Sequence, residues 1–198
     1  PSIPGTRSRW LRAAVAVAVV LATVPYAGLA LSAHFDATAD PTLDATRFVE
    51  REHPDEAPAI AYVDDLSGQP TLLSAPATGR YPGPNGDAPA PPGMYSWDSS
   101  PAASLTGVPT VAGWHHEVGY RGSEPYFQRV RDVDDAYTGS PARTVAVLER
   151  YDVAYVWVGP AERDRYGSVT FAGVDGLTPV FENEAVTIYR VDDPQVDR

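Results

Sequence analysis

The chain has 198 residues, 43% of them hydrophobic, which is enough to bury one sizeable core and form one domain with additional segments. The absence of cysteine excludes disulfides, thiolate catalysis and cysteine metal ligands. All 15 basic residues are arginine and are outnumbered by 26 carboxylates, so the net charge of −11 disfavours nucleic acid as a partner. This lysine-free, acidic composition also predicts a halophilic protein, because concentrated salt screens carboxylate repulsion.

The first predicted element is a transmembrane helix at residues 13–33, a stretch of 21 residues without a charge. At about 1.5 Å of rise per residue, this stretch crosses a hydrocarbon core of about 30 Å. Arginines lie in the flank at residues 1–12 and aspartates follow the helix, so the positive-inside rule predicts a cytoplasmic flank. The predicted location is the cell membrane, with the residues after 35 extracytoplasmic. A cleaved secretory signal is the alternative, although its apolar region usually has only about 7–15 residues.

The rest of the chain, residues 36–198, is predicted to be one extracytoplasmic domain of ordinary size. A capped helix is predicted at residues 40–53. Short apolar runs predict buried strands at 59–63 and 71–74. Residues 76–93 contain ten prolines and glycines in 18 positions, which predicts an exposed, extended loop.

The second half of this domain is predicted to continue the alternation of helices and strands. The predicted elements are a strand at 108–112, helices at 125–137 and 142–151, a strand at 153–158 and a hairpin at 180–191. Helices that alternate with apolar strands predict a layered α/β domain. The predicted fold class is therefore α/β, with one N-terminal transmembrane helix followed by a mixed-sheet layered outer domain.

The densest group of titratable side chains lies at residues 113–122, GWHHEVGYRG. Neighbouring residues on a strand or turn point in opposite directions, which argues against a metal shared by His115 and His116. Arg121 has the planar fork that binds a phosphate or carboxylate, and Glu117 with a histidine can form a base and its orienting partner. The alternative is a hydrogen-bonded turn in which Glu117 and Arg121 pair. Because the motif lacks a nucleophile, we predict ligand binding and no catalytic or metal-ligating residue.

Three other polar motifs are predicted to be structural. Residues 95–104 contain serines without the G-x-S-x-G turn of a serine hydrolase, and they predict a helix cap ahead of Pro101. Residues 131–137 contain three aspartates without the spacing of a calcium loop, which predicts a solvated acidic face. Residues 159–167 follow a buried strand, where α/β domains place ligand clefts, but they predict a short exposed helix.

Several stretches of the chain together suggest a family: LTGVPTVAGWHHEVGYRG, RDVDDAYTG, LERYDVAYVWVGPAERDRYG and VTIYRVD, in this order. They resemble the C-terminal part of the YYY family of archaeal and Chloroflexi multispanning membrane proteins, whose function is unknown. The resemblance covers about residues 36–192. That family is distantly similar to the GT-C superfamily, whose members move sugars from polyprenyl-phosphate carriers at the outer membrane face.

The resemblance implies that the helix at 13–33 is the last of many spans and that the chain is a piece of a longer protein. A first residue other than methionine agrees with this expectation. The implied function is that of the C-terminal span and outer domain of a polyprenyl-phosphate-dependent membrane glycosyltransferase, which positions a donor or acceptor and does not perform the chemistry. The alternative is a non-catalytic, membrane-anchored module for cell-envelope binding or assembly.

The resemblance also implies partners and a site. No cofactor is expected beyond a lipid-phosphate sugar donor for the whole protein. The expected partners are membrane lipid, a lipid-linked sugar, a glycan acceptor and the upstream spans. The candidate ligand-binding residues are Trp114, His116, Glu117 and Arg121, with Tyr95 and Trp97 as stacking surfaces.

Overall fold

The computed structural model describes residues 5–37, 43–76 and 100–196. The chain divides into two compact units, Pro1–Ala45 and Thr46–Arg198. Some of the sequence predictions lie outside the described residues: the start of the helix at 40–53, nearly all of the loop at 76–93, and the candidate residues Tyr95 and Trp97.

The first unit contains one long helix, α1, which spans Gly5–Ala37. Its segment Arg9–Ser32 has 24 residues and a mean hydropathy of 2.2, so it is long and apolar enough to cross a membrane. Its described apolar side chains, such as those of Leu21 and Leu29, are exposed. Pro25 lies inside the helix, a position that membrane helices tolerate. By length and composition α1 is a candidate membrane span, and a signal sequence near the N-terminus has the same properties.

The second unit contains a four-stranded mixed sheet with the strand order β1-β2-β4-β3. The strands are β1 (Thr71–Leu73), β2 (Val153–Val158), β3 (Val174–Glu182) and β4 (Thr187–Val196). β1 and β2 are parallel, whereas β4 pairs antiparallel with both β2 and β3. The α/β class and the mixed sheet are thus confirmed. The finer expectation of a layered domain outside the membrane stays a prediction.

In the described part of the second unit, seven short or medium helices accompany the sheet. They are α2 (Arg47–Glu52), α3 (Ala57–Asp64), α4 (Pro101–Thr106), α5 (Val118–Arg121), α6 (Ser123–Thr138), α7 (Pro141–Arg150) and α8 (Pro160–Tyr166), and a 3₁₀ turn at His115–Glu117 precedes α5. The helices predicted at 125–137 and 142–151 correspond to α6 and α7 and are confirmed. α7 starts with a proline in its first turn, where the missing N–H costs nothing, and buries one apolar stripe.

Alternate residues of β1 and β2 belong to two different apolar clusters. Leu73 and Val156 pack with Tyr126 of α6 and Leu148 of α7, while Trp157 belongs to the second cluster with Leu72 and Ile188. Successive side chains of a strand point to opposite faces, so β2 is buried on both faces. This burial explains why its sequence, VAYVWV, is apolar throughout.

The strand predicted at 59–63 is wrong, because these residues belong to helix α3. Pro58 lies in the first turn of α3, where proline favours a helix start. The buried residues are Ala59, Ile60 and Val63. Val63 follows Ala59 by four positions and Ile60 by three, so the three side chains share one face of a helix. A five-residue apolar run fits either structure, and here packing selects the helix.

Three other predicted elements differ in extent. Within the described residues, the helix predicted at 40–53 is limited to Arg47–Glu52, and Leu43 is fully exposed. The strand predicted at 108–112 is a single parallel bridge between Leu72 and Thr110. The closing hairpin is confirmed, and its two strands extend beyond the predicted range at either end.

Candidate functional site

The motif at residues 113–122 folds into a tight corner around the buried carboxylate of Glu117. Its Oε1 accepts a hydrogen bond from the Gly113 N–H at 2.9 Å, and its Oε2 accepts one from Arg121 Nε. A Cβ on Gly113 would lie 2.9 Å from Glu117 Oε1, so a larger residue at this position would require that carboxylate oxygen to move. The pairing of Glu117 with Arg121, expected if the motif is a hydrogen-bonded turn, is therefore present.

The backbone on either side of this corner is anchored to the core. The Leu72 N–H donates to the Pro109 carbonyl oxygen at 2.8 Å, so the chain before the corner runs beside β1. Tyr126 of α6 donates its hydroxyl to the Gly113 carbonyl oxygen at 3.1 Å. Burial, and then the charge of Glu117, raise the pKa of Tyr126, so it remains a neutral donor.

The two histidines diverge, as expected for neighbours in a turn. The ring of His115 stacks on Tyr126, with ring centroids 5.7 Å apart, and packs against Phe127. His116 is exposed and meets the edge of Tyr120, with centroids 6.3 Å apart. In the described part of the chain, no three His, Asp or Glu side chains lie together as a metal site would require.

A cleft of about 210 Å³ opens beside this corner. Trp114, His116 and Glu117 line it together with Tyr120. The Trp114 indole N–H donates to Ser104 Oγ at 3.0 Å, which fixes the ring in the wall of the cleft. The structure thus brings together three of the predicted binding residues, and Arg121 joins them through its bond to Glu117.

Three hydroxyl groups form a hydroxyl cluster at the inner wall of the cleft: Ser74, Ser100 and Thr110. Ser74 Oγ donates to Ser100 Oγ at 2.8 Å and lies 3.2 Å from Thr110 Oγ1. Ser100 and Thr110 line the cleft, while Ser74 lies behind them and is buried. No local sequence pattern indicates this cluster, because its members are up to 36 positions apart and meet only in the folded chain.

The expected helix cap before Pro101 is only partly correct. Ser100 occupies the N-cap position of α4, but its hydroxyl makes no capping hydrogen bond. It donates instead to the Ala75 carbonyl oxygen at 3.2 Å. The backbone of Ser100 has a φ of 52°, in the left-handed region that costs non-glycine residues about 1–2 kcal/mol.

The helix predicted as exposed at 159–167 contains a buried acid, Glu162, which is only 2% exposed. Its Oε1 accepts from the Ala75 N–H at 2.6 Å, and its Oε2 accepts from the Gly159 N–H at 2.8 Å. Burial raises the pKa of Glu162 to about 7, although these hydrogen bonds lower it and Glu56 raises it slightly. The sequence contained one signal for the hydrogen bond to Gly159: α8 starts with a proline and has glutamate at its third position. A glutamate there reaches back to the N–H of the N-cap residue.

Two of the three aspartates in the acidic face expected at 131–137 bind side chains of neighbouring elements. Asp132 is buried and accepts hydrogen bonds from Arg150 of α7 and from Tyr151. Asp134 pairs with Arg165 of α8 at 2.8 Å. These aspartates therefore attach α6 to its neighbours, and the expectation of a solvated face is wrong for both.

No family model, no curated protein and no solved structure matches this chain. The resemblance to the YYY family therefore stays a prediction.

Proposed function

We propose that the chain is the C-terminal span and outer domain of a membrane glycosyltransferase that uses polyprenyl-phosphate sugars. The domain positions a donor or acceptor sugar, and the chemistry belongs to other parts of the protein. Its partners are membrane lipid, a lipid-linked sugar, a glycan acceptor and upstream spans of the same protein. Support comes from the resemblance, from α1 as a candidate span, and above all from the lining of the cleft.

The composition of the cleft wall is the observation that carries this proposal. Two aromatic side chains, Trp114 and Tyr120, stand beside the hydroxyls of Ser100, Ser104 and Thr110. Ligand sites typically combine apolar aromatic area with a few placed polar groups, and a sugar ring has C–H faces for the first and hydroxyls for the second. A cleft of about 210 Å³ is smaller than most ligand pockets, which measure about 300–1,000 Å³, so it suits one monosaccharide unit better than a longer glycan.

The state of Glu117 favours positioning over catalysis. Both of its oxygens are engaged, one by the Gly113 N–H and the other by Arg121. A general base needs an oxygen within reach of the proton that it removes. The same pairing neutralises Arg121, so this corner suits the uncharged ring of a sugar better than a phosphate.

Binding of simple sugars to the full chain in nanodiscs tests this proposal. We expect methyl hexosides to bind saturably and Trp114→Ala to weaken the binding by about tenfold or more, as loss of one aromatic contact of about 1.5 kcal/mol implies. Phe48→Ala is the matched control, since Phe48 is a part-exposed aromatic residue of α2 that does not line the cleft. Calorimetry that finds no saturable hexoside binding, or equal affinities in both variants, contradicts the proposal.

A second candidate function is a non-catalytic, membrane-anchored module for cell-envelope binding or assembly. It is favoured by the same closed Glu117–Arg121 pair, which leaves the corner intact as a structural turn. In that case binding of a glycan or protein survives both Glu117→Ala and Arg121→Ala. Loss of binding in both variants favours the glycosyltransferase proposal.

A transfer assay separates positioning from chemistry. Membranes that contain the 198-residue chain receive a polyprenyl-phosphate hexose and a methyl hexoside acceptor. We expect no sugar transfer by this chain alone. Transfer above that of membranes without the chain contradicts a role limited to positioning.

A further inference from the structure

We propose that Glu162 is a positioning residue for the cleft: its carboxylate joins the carboxyl ends of β1 and β2 and thereby holds the hydroxyl cluster in place. This inference rests on the proposed function only in treating the cleft as the binding site. Glu162 itself does not line the cleft. It acts through the backbone of Ala75, one residue beyond Ser74.

The carboxylate of Glu162 lies at the edge of the sheet where β1 and β2 end. β1 and β2 are parallel, so their carboxyl ends lie at the same edge of the sheet, where α/β folds place ligand clefts. Glu162 bridges this edge, since one oxygen binds the Ala75 N–H after β1 and the other binds the Gly159 N–H after β2. The Glu162 side chain therefore joins the two strand ends, next to the Tyr137 hydroxyl, which contacts the carbonyl oxygens of Leu73 in β1 and Trp157 in β2.

The backbone of Ala75 connects this bridge to the cleft. The N–H of Ala75 points to Glu162, and its carbonyl oxygen accepts the hydroxyl of Ser100. The preceding residue, Ser74, donates to Ser100 and touches Thr110. Any shift of the Ala75 backbone therefore moves hydrogen-bond partners of two cleft-lining hydroxyls.

The hydrogen bonds of this bridge depend on the protonation state of Glu162. The charged carboxylate accepts both N–H groups, whereas a protonated carboxyl group has one oxygen that is a poorer acceptor. Burial raises the pKa of Glu162 to about 7, so the two forms exchange near neutral pH. In the described part of the chain, two titratable groups interact electrostatically with the Glu162 carboxyl group: Glu56, ahead of α3, and Tyr137 on α6. The Nδ1 atom of His53 lies 3.7 Å from the Glu56 carboxylate. Arg163, the next residue of α8, is exposed and binds the Ala185 carbonyl oxygen.

The experiment is a pH titration of assigned ¹⁵N resonances of the full chain in nanodiscs, without ligand. We expect the amides of Ala75 and Gly159 to titrate with one midpoint near pH 7. The amide of Thr110 and the indole N–H of Trp114 should follow with the same midpoint. Titration of Ala75 and Gly159 without any response at Thr110 and Trp114 overturns the proposal.

Variants identify the group that titrates. Glu162→Gln should abolish the common midpoint, whereas Glu149→Gln, which removes an exposed glutamate of α7, should leave it unchanged. His53→Asn should also retain a common titration of these resonances. Its retention would exclude His53 as the group that titrates. A common midpoint that persists in Glu162→Gln overturns the proposal.

A fourth variant keeps the test decisive if Glu162→Gln does not fold. Glu56→Gln removes a charge that raises the pKa of Glu162, so the midpoint should move to lower pH. It should move by the same amount at Ala75, Thr110 and Trp114, and unequal shifts overturn the proposal. Because no ligand is present, failure of this coupling and failure of hexoside binding are separate results.

Discussion

At the scale of single residues, Glu162 shows two opposing effects on one carboxyl group. Three backbone N–H groups, those of Ala75, Gly159 and Glu162 itself, stabilise its charged form, and removal from water destabilises that form. The second effect is larger, so the pKa rises from its ordinary value of 4.5 to about 7. The folded protein therefore holds a proton, between these two pH values, that the unfolded chain has released.

The first prediction concerns the pH dependence of stability. Because the folded pKa is raised, the contribution of Glu162 is fully present below about pH 4.5 and is lost as the pH rises through about 7. A shift of this size corresponds to a decrease on the order of 3 kcal/mol in the free energy of unfolding. Denaturant titrations at pH 5 and pH 8, on wild type and Glu162→Gln, measure this contribution as the difference between the two proteins.

The control for this prediction is Glu149→Gln, which should retain the pH dependence of the wild type because Glu149 is exposed. Subtracting the free energy of unfolding of Glu162→Gln from that of the wild type at each pH removes the contributions of the other carboxylates and histidines. An identical pH dependence in wild type and Glu162→Gln contradicts the assignment of a raised pKa to Glu162.

At the scale of elements, the hairpin of β3 and β4 depends on a glycine bulge. The pairing of β3 shifts register between Asp175 and Leu177, and Gly176 between them has a φ of 82°. A Cβ at this position would overlap the carbonyl oxygen of Asp192 on β4. Gly68 has a nearly equal φ of 80°, but a Cβ there would meet open space.

This pair of glycines yields the second prediction. Gly68→Ala should cost about 1–2 kcal/mol, the ordinary penalty of a left-handed backbone for a residue with a Cβ. Gly176→Ala should cost roughly 3 kcal/mol or more, because steric overlap with the backbone adds to the same penalty. Chemical denaturation of both variants measures the difference. Equal costs would show that β4 moves aside freely at the bulge.

Elements with a long local signal could be predicted from the sequence. α6 and α7 have 16 and 10 residues and repeat their apolar positions at helical spacing, and the continuous apolar run of β2 indicates a strand buried on both faces. α3 has only eight residues, and its short apolar run does not distinguish a helix from a strand. The bounds of such short elements depend on packing partners that are distant in the chain.

The candidate site was predictable only where its contacts are local. Glu117 and Arg121 are four positions apart in one turn, and their pairing follows from that spacing. Glu162 is 87 positions from Ala75, so neither its burial nor its hydrogen bond could be read from the local pattern. The same holds for Asp132, whose charge suggested solvent exposure although α7 covers it.

At the scale of the whole molecule, the net charge of −11 predicts a dependence on salt. Raising KCl from 0.1 M to 1 M shortens the screening length from about 10 Å to about 3 Å and relieves repulsion among carboxylates. We expect the melting temperature at pH 7 to rise by several degrees, measured by circular dichroism. At about pH 4.5 many carboxylates are protonated, so the rise should be smaller. A salt effect of equal size at both pH values would assign it to another cause.

The orientation of α1 is the central claim of this account, because the cleft can meet lipid-linked sugars at the outer membrane face only if the second unit lies outside. The chain has no cysteine, so one introduced cysteine reports its own location. Ser168 is exposed in the second unit, and Ser2 belongs to the predicted cytoplasmic flank. A membrane-impermeant maleimide should label Ser168→Cys in intact cells and Ser2→Cys only after permeabilisation. Labelling of Ser2→Cys in intact cells, with Ser168→Cys protected, would contradict the account.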